Sequence, residues 1–364
     1  RGQTLYAPDG NARLYPPQLS EGAGSLLPGE TRPAVLWTME LDETGEGVEV
    51  DVCRALVRSR EKLDYAGVQA SLEDGTASES LQLLREVGLL RQEREQRRGG
   101  IALPIPEQEV DKGPNGYELE FRAPLPVEGW NAQISLLTGQ AAAELMLSSH
   151  VGVLRTLPEA EPRAVERLRR TAKALGVDWG PKLSYADLVR TLDPDVPAQA
   201  ALLVESTVLL RGSGYAVVTD ETLAAQAAHA GVGAPYAHTT APLRRLVDRY
   251  VGEVCLSVSG GTAVPEWVRT ALPGLPETME RSTRKAQQYE AGIISTIEAA
   301  VLENRVGETF EAVVVEVDRD GGTVQLTDPA VTAQCEGKLP LGERVTVRLA
   351  SADIARRQVR FELA

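Results

Sequence analysis

The chain has 364 residues, 43% of them hydrophobic, and a formal net charge of −14. That length suits two or three domains of ~100–200 residues each, and the acidic balance excludes a protein that coats nucleic acid by bulk charge. Three scattered cysteines and three histidines exclude a disulfide framework and zinc chemistry, and no apolar run approaches the ~18–20 residues of a membrane span.

Of the 38 basic residues, 32 are arginine. The planar guanidinium suits bidentate binding of phosphate or carboxylate. A genome rich in G and C gives the same bias. The chain opens Arg1-Gly2-Gln3-Thr4-Leu5-Tyr6, without Met, and reads as the middle of a longer protein. No signal peptide is visible, and a reducing, cytoplasmic setting fits the cysteine usage.

Residues 1–32 are punctuated by Pro and Gly and read as ordered loop. Residues 33–41 and 48–60 read as the two strands of a hairpin across the turn DETGEG. Residues 78–98 are helical, with Leu81, Leu84 and Leu90 beside a charged face, and Gly99-Gly100 ends them. The proline-rich stretch IALPIPEQEV leads to a strand at 117–123. Residues 131–156 form the most apolar helix and 161–176 an exposed one. Residues 184–193 carry a Ser-x-x-Asp cap at Ser184 and Asp187, and another helix covers about 196–211. Residues 227–240 are loop-like, a helix begins near Pro242, and a long helix spans about 276–304. From Val306 to Leu363 the pattern changes to five short alternating strands, which suggests a small OB-type barrel.

Common catalytic signatures are absent: no P-loop, no Rossmann glycine fingerprint, no HExxH, no GxSxG and no CxxC. Cys53 and Cys255 read as core thiols, and not as nucleophiles paired with His238. Asp193-Pro194-Asp195 reads as a helix-ending turn. The informative stretch is 229–248. It places a small-residue loop, with Tyr236, His238, Thr239 and Thr240, before a helix whose first turns carry Arg244 and Arg245. A helix N-terminus and two bidentate donors make an anion site, for which a phosphodiester is a natural ligand. The alternative is an ordinary surface helix in which Asp248, four residues after Arg244, pairs with it.

The segment YAHTTAPLRRLVDRY (236–250) resembles the signature of the RNase II/RNase R family, whose RNB domain carries Y-x-H-x-T-S-P-I-R-R/K-x-x-D. Segments 2–34, 54–69, 98–103 and 142–154 are similar to further family elements in the same order, so the resemblance covers nearly the whole chain. It implies an α+β fold: an RNB-type catalytic core over 1–304, with mixed sheet surrounded by helices, then a small C-terminal OB-type β-barrel over 305–364. It also implies a 3′-to-5′ exoribonuclease. Single-stranded RNA would thread into an arginine-lined channel, and magnesium-activated water would release nucleoside 5′-monophosphates. A monomer without membrane attachment is expected.

Carried over position by position, the resemblance gives roles. Arg244 matches the arginine on the scissile phosphate, and Arg245 its basic neighbour. Tyr6 matches an aromatic residue near the 3′ end of the RNA. Tyr65 matches the tyrosine that helps set final product length. Glu144 matches one of a pair of glutamates in the active-site helix. Tyr236, His238 and Thr240 of the signature are expected to bind RNA.

Departures are also visible. The signature serine is Ala241, the first glutamate of the pair is Ala143, and the asparagine after it is His150. The family's magnesium ligands are a cluster of aspartates, two of them adjacent, upstream of the Tyr6 segment. No Asp-Asp pair occurs in the 364 residues, so the cluster is expected upstream of Arg1, and residues 1–364 alone are expected to be inactive. The barrel is acidic, with Phe310 and Phe361 its only aromatic residues, so a weak RNA grip is expected of it. The rivals are an RNB-like RNA-binding protein without catalysis and an unrelated cysteine hydrolase.

Overall fold

The computed structural model describes residues 1–113, 116–219, 227–326 and 328–364. A small hairpin, β1 (Leu5–Ala7) and β2 (Gly10–Ala12), is followed by a long one, β3 (Thr31–Leu41) and β4 (Gly47–Arg58). Helices α1 (Tyr65–Glu73) and α2 (Glu79–Arg97) precede the hairpin β5 (Glu107–Gly113) and β6 (Gly116–Arg122). The central helix α3 (Pro126–Ser148) leads into β7 (Gly152–Thr156). Helices α4 (Pro162–Ala174), α5 (Tyr185–Thr191) and α6 (Pro197–Ser206) follow, and β8 (Gly214–Val218) returns to pair with β7. A two-residue ladder, β9 (Ala228–His229) and β10 (Ala234–Pro235), comes before α7 (Leu246–Ser259), α8 (Glu266–Ala271) and α9 (Leu275–Leu302). Strands β11 (Thr309–Val317), β12 (Gly321–Leu326), β13 (Thr332–Glu336), β14 (Arg344–Asp353) and β15 (Gln358–Leu363) close the chain.

The α+β core with a C-terminal barrel is therefore present. Within the core the described strands lie in separate two-stranded antiparallel ribbons, and are not gathered in one sheet. Helices supply the packing. Ala142, Ala143 and Met146 of α3 meet Val247, Val251 and Val254 of α7 in the main core. Burying each large aliphatic side chain contributes ~1.5–3 kcal/mol. Helices α2 and α3 approach closely because position 88 is glycine; a Cβ there would lie 2.4 Å from Trp130 Cβ. Side-chain caps start two helices: Asp64 accepts from the Gly67 N–H (2.8 Å), and Ser184, as its motif predicts, from the Asp187 N–H (3.1 Å).

Several expectations are corrected. The segment 131–156 is not one helix. Helix α3 ends at Ser148, His150 takes a left-handed φ of 56°, and Gly152–Thr156 is a strand. Gly152 has φ 148°, and a Cβ there would meet Met146 Sδ at 2.2 Å, so the chain leaves the helix over a core methionine. The helix expected near Pro242 does not begin there. Arg245 is its N-cap, in extended conformation, and α7 starts at Leu246. Pairing with the N-terminal segment holds residues 244–246 open, as described below. Residues 1–32 contain β1, β2 and a π-helical turn at Gln18–Ala23, and the proline-rich stretch ends in β5. Cys53 is exposed, not a core thiol, because alternation on β4 turns Val52 inward and Cys53 outward. Cys255 is buried as expected, and burial pushes its thiol up to about 12.

The barrel closes in the order β11-β12-β13-β15-β14, with β13 and β15 parallel. Its core includes Phe310 and Phe361 in edge-to-face contact at 5.9 Å, so neither ring is available to stack on RNA. Ile297, Ala299 and Leu302 of α9 complete that core, as does Leu119 of β6. The barrel is thus fused to the rest of the fold through a helix.

Candidate nucleic-acid interface

The signature segment is built in two layers. In the inner layer, the Arg155 N–H donates to the Tyr236 carbonyl (2.8 Å) and the Ala237 N–H to Gly139 of α3 (3.0 Å). The Tyr236 ring lies directly on Gly139: a Cβ there would be 2.1 Å from Tyr236 Cε2. Tyr236 and His238 meet edge to face, with centroids 5.6 Å apart, and Tyr215 Oη is hydrogen-bonded to His238 Nδ1 at 2.8 Å. His229 stands against Tyr236, and Arg155 lies over the Tyr215 ring.

Burial, reinforced by the charges of Arg245 and Arg155, lowers His238 to about 2. Burial and Arg155 lower His229 to about 4. Burial raises Tyr236. These rings are neutral near pH 7, so they shape the site and carry no charge into it. Thr239 Oγ1 is buried without a hydrogen-bond partner among the described residues, whereas Thr240 is exposed.

The outer layer is a turn. The Arg244 and Arg245 N–H groups donate to the Ala241 carbonyl at 3.1 and 2.9 Å. Asp248, buried in the first turn of α7, accepts from the Ala241 N–H (2.7 Å). The same carboxylate takes Arg245 Nε (2.9 Å) and Nη2 (2.8 Å). The acid therefore pairs with Arg245 and not with Arg244. Arg244 is exposed, and among the described residues its side chain has no ion pair or hydrogen bond.

The N-terminal segment docks on this turn. Gln3 bridges to Arg245, the Thr4 N–H donates to the Arg244 carbonyl (3.0 Å), and the Leu246 N–H donates to Gly2 (2.8 Å). The Gly2 N–H in turn reaches Ser282 Oγ of α9 (3.1 Å). Between β1, the turn and α9 lies a pocket of about 220 Å³, lined by Thr4, Tyr6, Arg244, Arg245, Ala286, Tyr289 and Glu290 among others. It joins Tyr6 to Arg244 and Arg245.

Other expected site residues lie elsewhere. Tyr65 opens α1, and its Oη accepts from Asn131 Nδ2 at 3.1 Å. Glu144 is exposed on α3, and its charge favours the buried Arg91 cation, which desolvation weakens. Neither lines the pocket, whereas Tyr289 and Glu290, which sequence reasoning missed, do. Their only sequence signal is the i, i+3, i+4 spacing from Ala286, shared by any helix face.

Magnesium does not fit the residues described. Among them, no group of three or more His, Cys, Asp or Glu side chains could hold a metal ion. No described helix is long and apolar enough to cross a membrane.

Comparison with known proteins decides the family. The RNB domain model matches residues 1–257, and the model of the RNase II-type exonuclease C-terminal S1 domain matches 308–364. This chain belongs to the RNB-domain family. Ribonuclease R of Thermotoga maritima is 22% identical over 355 residues, covering 91% of this chain and 49% of that protein. Ribonuclease R 1 of Lactococcus lactis is 23% identical, covering 90% and 42%. The RNB chain thus spans about half the length of the curated relatives it matches. Mycoplasma genitalium RNase R in complex with ribose methylated single-stranded RNA superposes with a TM-score of 0.87 at 16% identity, over 100% of this chain and 63% of that one. Yeast Ssd1, a pseudonuclease, superposes with a TM-score of 0.70 at 15% identity, over 95% and 44%.

Proposed function

We propose that this RNB chain belongs to a 3′-to-5′ exoribonuclease acting on single-stranded RNA, and that its pocket grips the strand end. The observation that carries the reading is the pocket that unites Arg244, unpaired among the described residues, with an exposed aromatic ring, Tyr6. A charge-assisted hydrogen bond to a phosphate contributes ~1.5–3 kcal/mol. A ring stacked on a base contributes ~1–3 kcal/mol whatever the base. Together they hold RNA without reading its sequence, as a degradative enzyme requires. The relatives named Ribonuclease R support the assignment.

Arg244 would orient the phosphodiester, while Asp248 and Arg245 keep the turn that presents it. Magnesium, which the family implies, would supply an activated water, but the described residues do not provide its ligands. The test uses the full-length protein with 5′-labelled single-stranded RNA and magnesium. Shortening from the 3′ end, slowed at least tenfold by Arg244→Ala, is expected. Binding and degradation unchanged by Arg244→Ala would overturn the reading.

A second reading is an RNA-binding protein without catalysis. The likeness to a pseudonuclease supports it. RNA binding by the full-length protein with no magnesium-dependent release of mononucleotides decides for it.

A further inference from the structure

Ten buried side-chain nitrogens and oxygens have no hydrogen-bond partner among the described residues, and six of them belong to the seam between α2 and α3. Arg91, Arg94 and the C-cap Arg98 follow one another at i, i+3 and i+7, on one stripe of α2. Gln133 and Gln140 stand two turns apart on α3. Five of the six atoms are donors: Arg91 Nε, Arg94 Nε, Arg98 Nε and Nη2, and Gln140 Nε2. The one acceptor is Gln133 Oε1. Neither amide can turn to even the balance. Gln140 Oε1 accepts from Arg91 Nη2, and Gln133 Nε2 donates to Glu95 Oε2 at 2.9 Å.

The charges in the seam do not balance either. Arg94 is matched by Glu46, and its Nη1 donates to Thr44 Oγ1 at 3.1 Å. Arg91 is fully buried and has only neutral partners, the Gly45 carbonyl at 2.9 Å and Gln140. Arg98 has no ion pair among the described residues. Glu95 is taken by Gln133, and neither it nor the exposed Glu144 pairs with Arg91 or Arg98. Burial, and after it the Arg91 cation, lowers the Arg98 pKa, so the two guanidinium groups repel each other at close quarters. A buried cation without a counter-charge is costly. A bridging water makes about three hydrogen bonds, and its two lone pairs accept from two donors at most. An anion accepts from all of them and removes the repulsion.

We propose that the seam between α2 and α3 is a binding site for a small monovalent anion of the chloride class, held by Arg91, Arg98 and the Gln140 amide. The site is separate from the pocket at Arg244 and does not depend on how that pocket is read. Its walls are side chains of two closely packed helices, with Gly88 against Trp130, so a compact ion suits it and a phosphoester does not. The ion ties several parts together. Arg91 and Arg94 clasp the turn between β3 and β4 through Gly45, Thr44 and Glu46. The Arg98 carbonyl backs onto Gly233, where a Cβ would lie 2.6 Å from it, and α3 carries Gly139 beneath the Tyr236 ring. A bound anion thus fastens the frame behind the signature segment.

The experiment melts the full-length protein while chloride rises from ~1 to ~200 mM and gluconate, too large for the seam, keeps the ionic strength constant. A ligand that binds only the folded state raises the melting temperature by mass action. A rise of about 2 °C or more is expected in chloride, and bromide should act alike. Arg98→Met should remove the rise. Arg85→Met, which alters an exposed arginine of the same helix outside the seam, should keep it. Equal melting in chloride and gluconate overturns the proposal, as does an undiminished rise in Arg98→Met. Wild-type crystals grown in bromide give a readout that needs no variant. An anomalous peak within hydrogen-bond reach of Arg98 Nε is expected, and the lack of one overturns the site.

Discussion

Arg245 and Asp248 form a two-pronged ion pair, 2.9 Å at Nε and 2.8 Å at Nη2, around a carboxylate that also caps the Ala241 N–H. Asp248 has a fully buried side chain, and that of Arg245 is 20% exposed. Two adjacent arginines therefore have different work. Arg245 is a structural strut, while the Arg244 side chain has no ion pair or hydrogen bond among the described residues.

That division predicts opposite phenotypes. Removing one partner of a buried pair costs about 3–5 kcal/mol, because the other charge stays behind uncompensated. Asp248→Ala should lower the urea-unfolding free energy by about that much. Arg244→Ala should change it by no more than ~0.5 kcal/mol, as for an ordinary surface site. Equal stability losses in the two variants would refute the division.

Ionic strength offers a second check. For a single strand, each neutralised phosphate contributes a slope of ~−0.7 to the log–log dependence of affinity on salt. Arg244→Ala should make the slope shallower by about 0.7, measured by fluorescence anisotropy of a labelled oligonucleotide between 50 and 200 mM salt. A parallel line displaced downward means that Arg244 touches no phosphate.

Two glycines in helices should respond with opposite sign. Alanine is favoured over glycine by ~1 kcal/mol in a helix interior. At Gly252 of α7 a Cβ meets nothing within 4 Å, so Gly252→Ala should raise the melting temperature. At Gly139 the Cβ would lie 2.1 Å from the Tyr236 ring and 2.6 Å from the Ala237 carbonyl. Overpacking costs ~1–3 kcal/mol, and neither neighbour can yield without moving the signature segment. Gly139→Ala should lower the melting temperature and weaken RNA binding together.

The buried histidines set a pH dependence. Their folded values, about 4 for His229 and about 2 for His238, lie below the ~6.5 of an unfolded histidine. On acidification the unfolded chain takes up protons first. The stability from burying them neutral is complete above pH ~6.5 and is lost as pH falls toward 4, at up to ~1.4 kcal/mol per pH unit for each. Unfolding free energies at pH 7, 5.5 and 4.5 should fall steadily, and His238→Gln should make the decline shallower. An unchanged slope in that variant would count against a neutral buried His238.

Much of this was legible in the sequence. Alternation gave the barrel strands, helical spacing of leucines gave α2, the exposed helix at 161–176 and the long one at about 276–304 were read as helices, and the 236–248 signature pointed to Arg244. The failures share a cause. Helix α7 starts late because Gly2, Gln3 and Thr4 pair with residues 244–246, a contact across some 240 positions that no local pattern announces. The partner of Asp248 could not be read from spacing, since both Arg244 and Arg245 lie within one helical turn of it. Tyr289 and Glu290 look like any solvent-facing positions of an amphipathic helix until β1 is laid across them. The end of α3 was missed because Gly152 and His150 act through backbone geometry, while the side chains around them remain apolar.

Helix α9 has one more consequence. Its middle lines the pocket at Tyr289, and its end, 13 residues on, is built into the barrel core at Leu302. At 1.5 Å per residue, those points are roughly 20 Å apart on a single stiff rod. The barrel is then also an anchorage for that helix. A rod seated at one end in the barrel core fixes where its pocket-lining stretch stands.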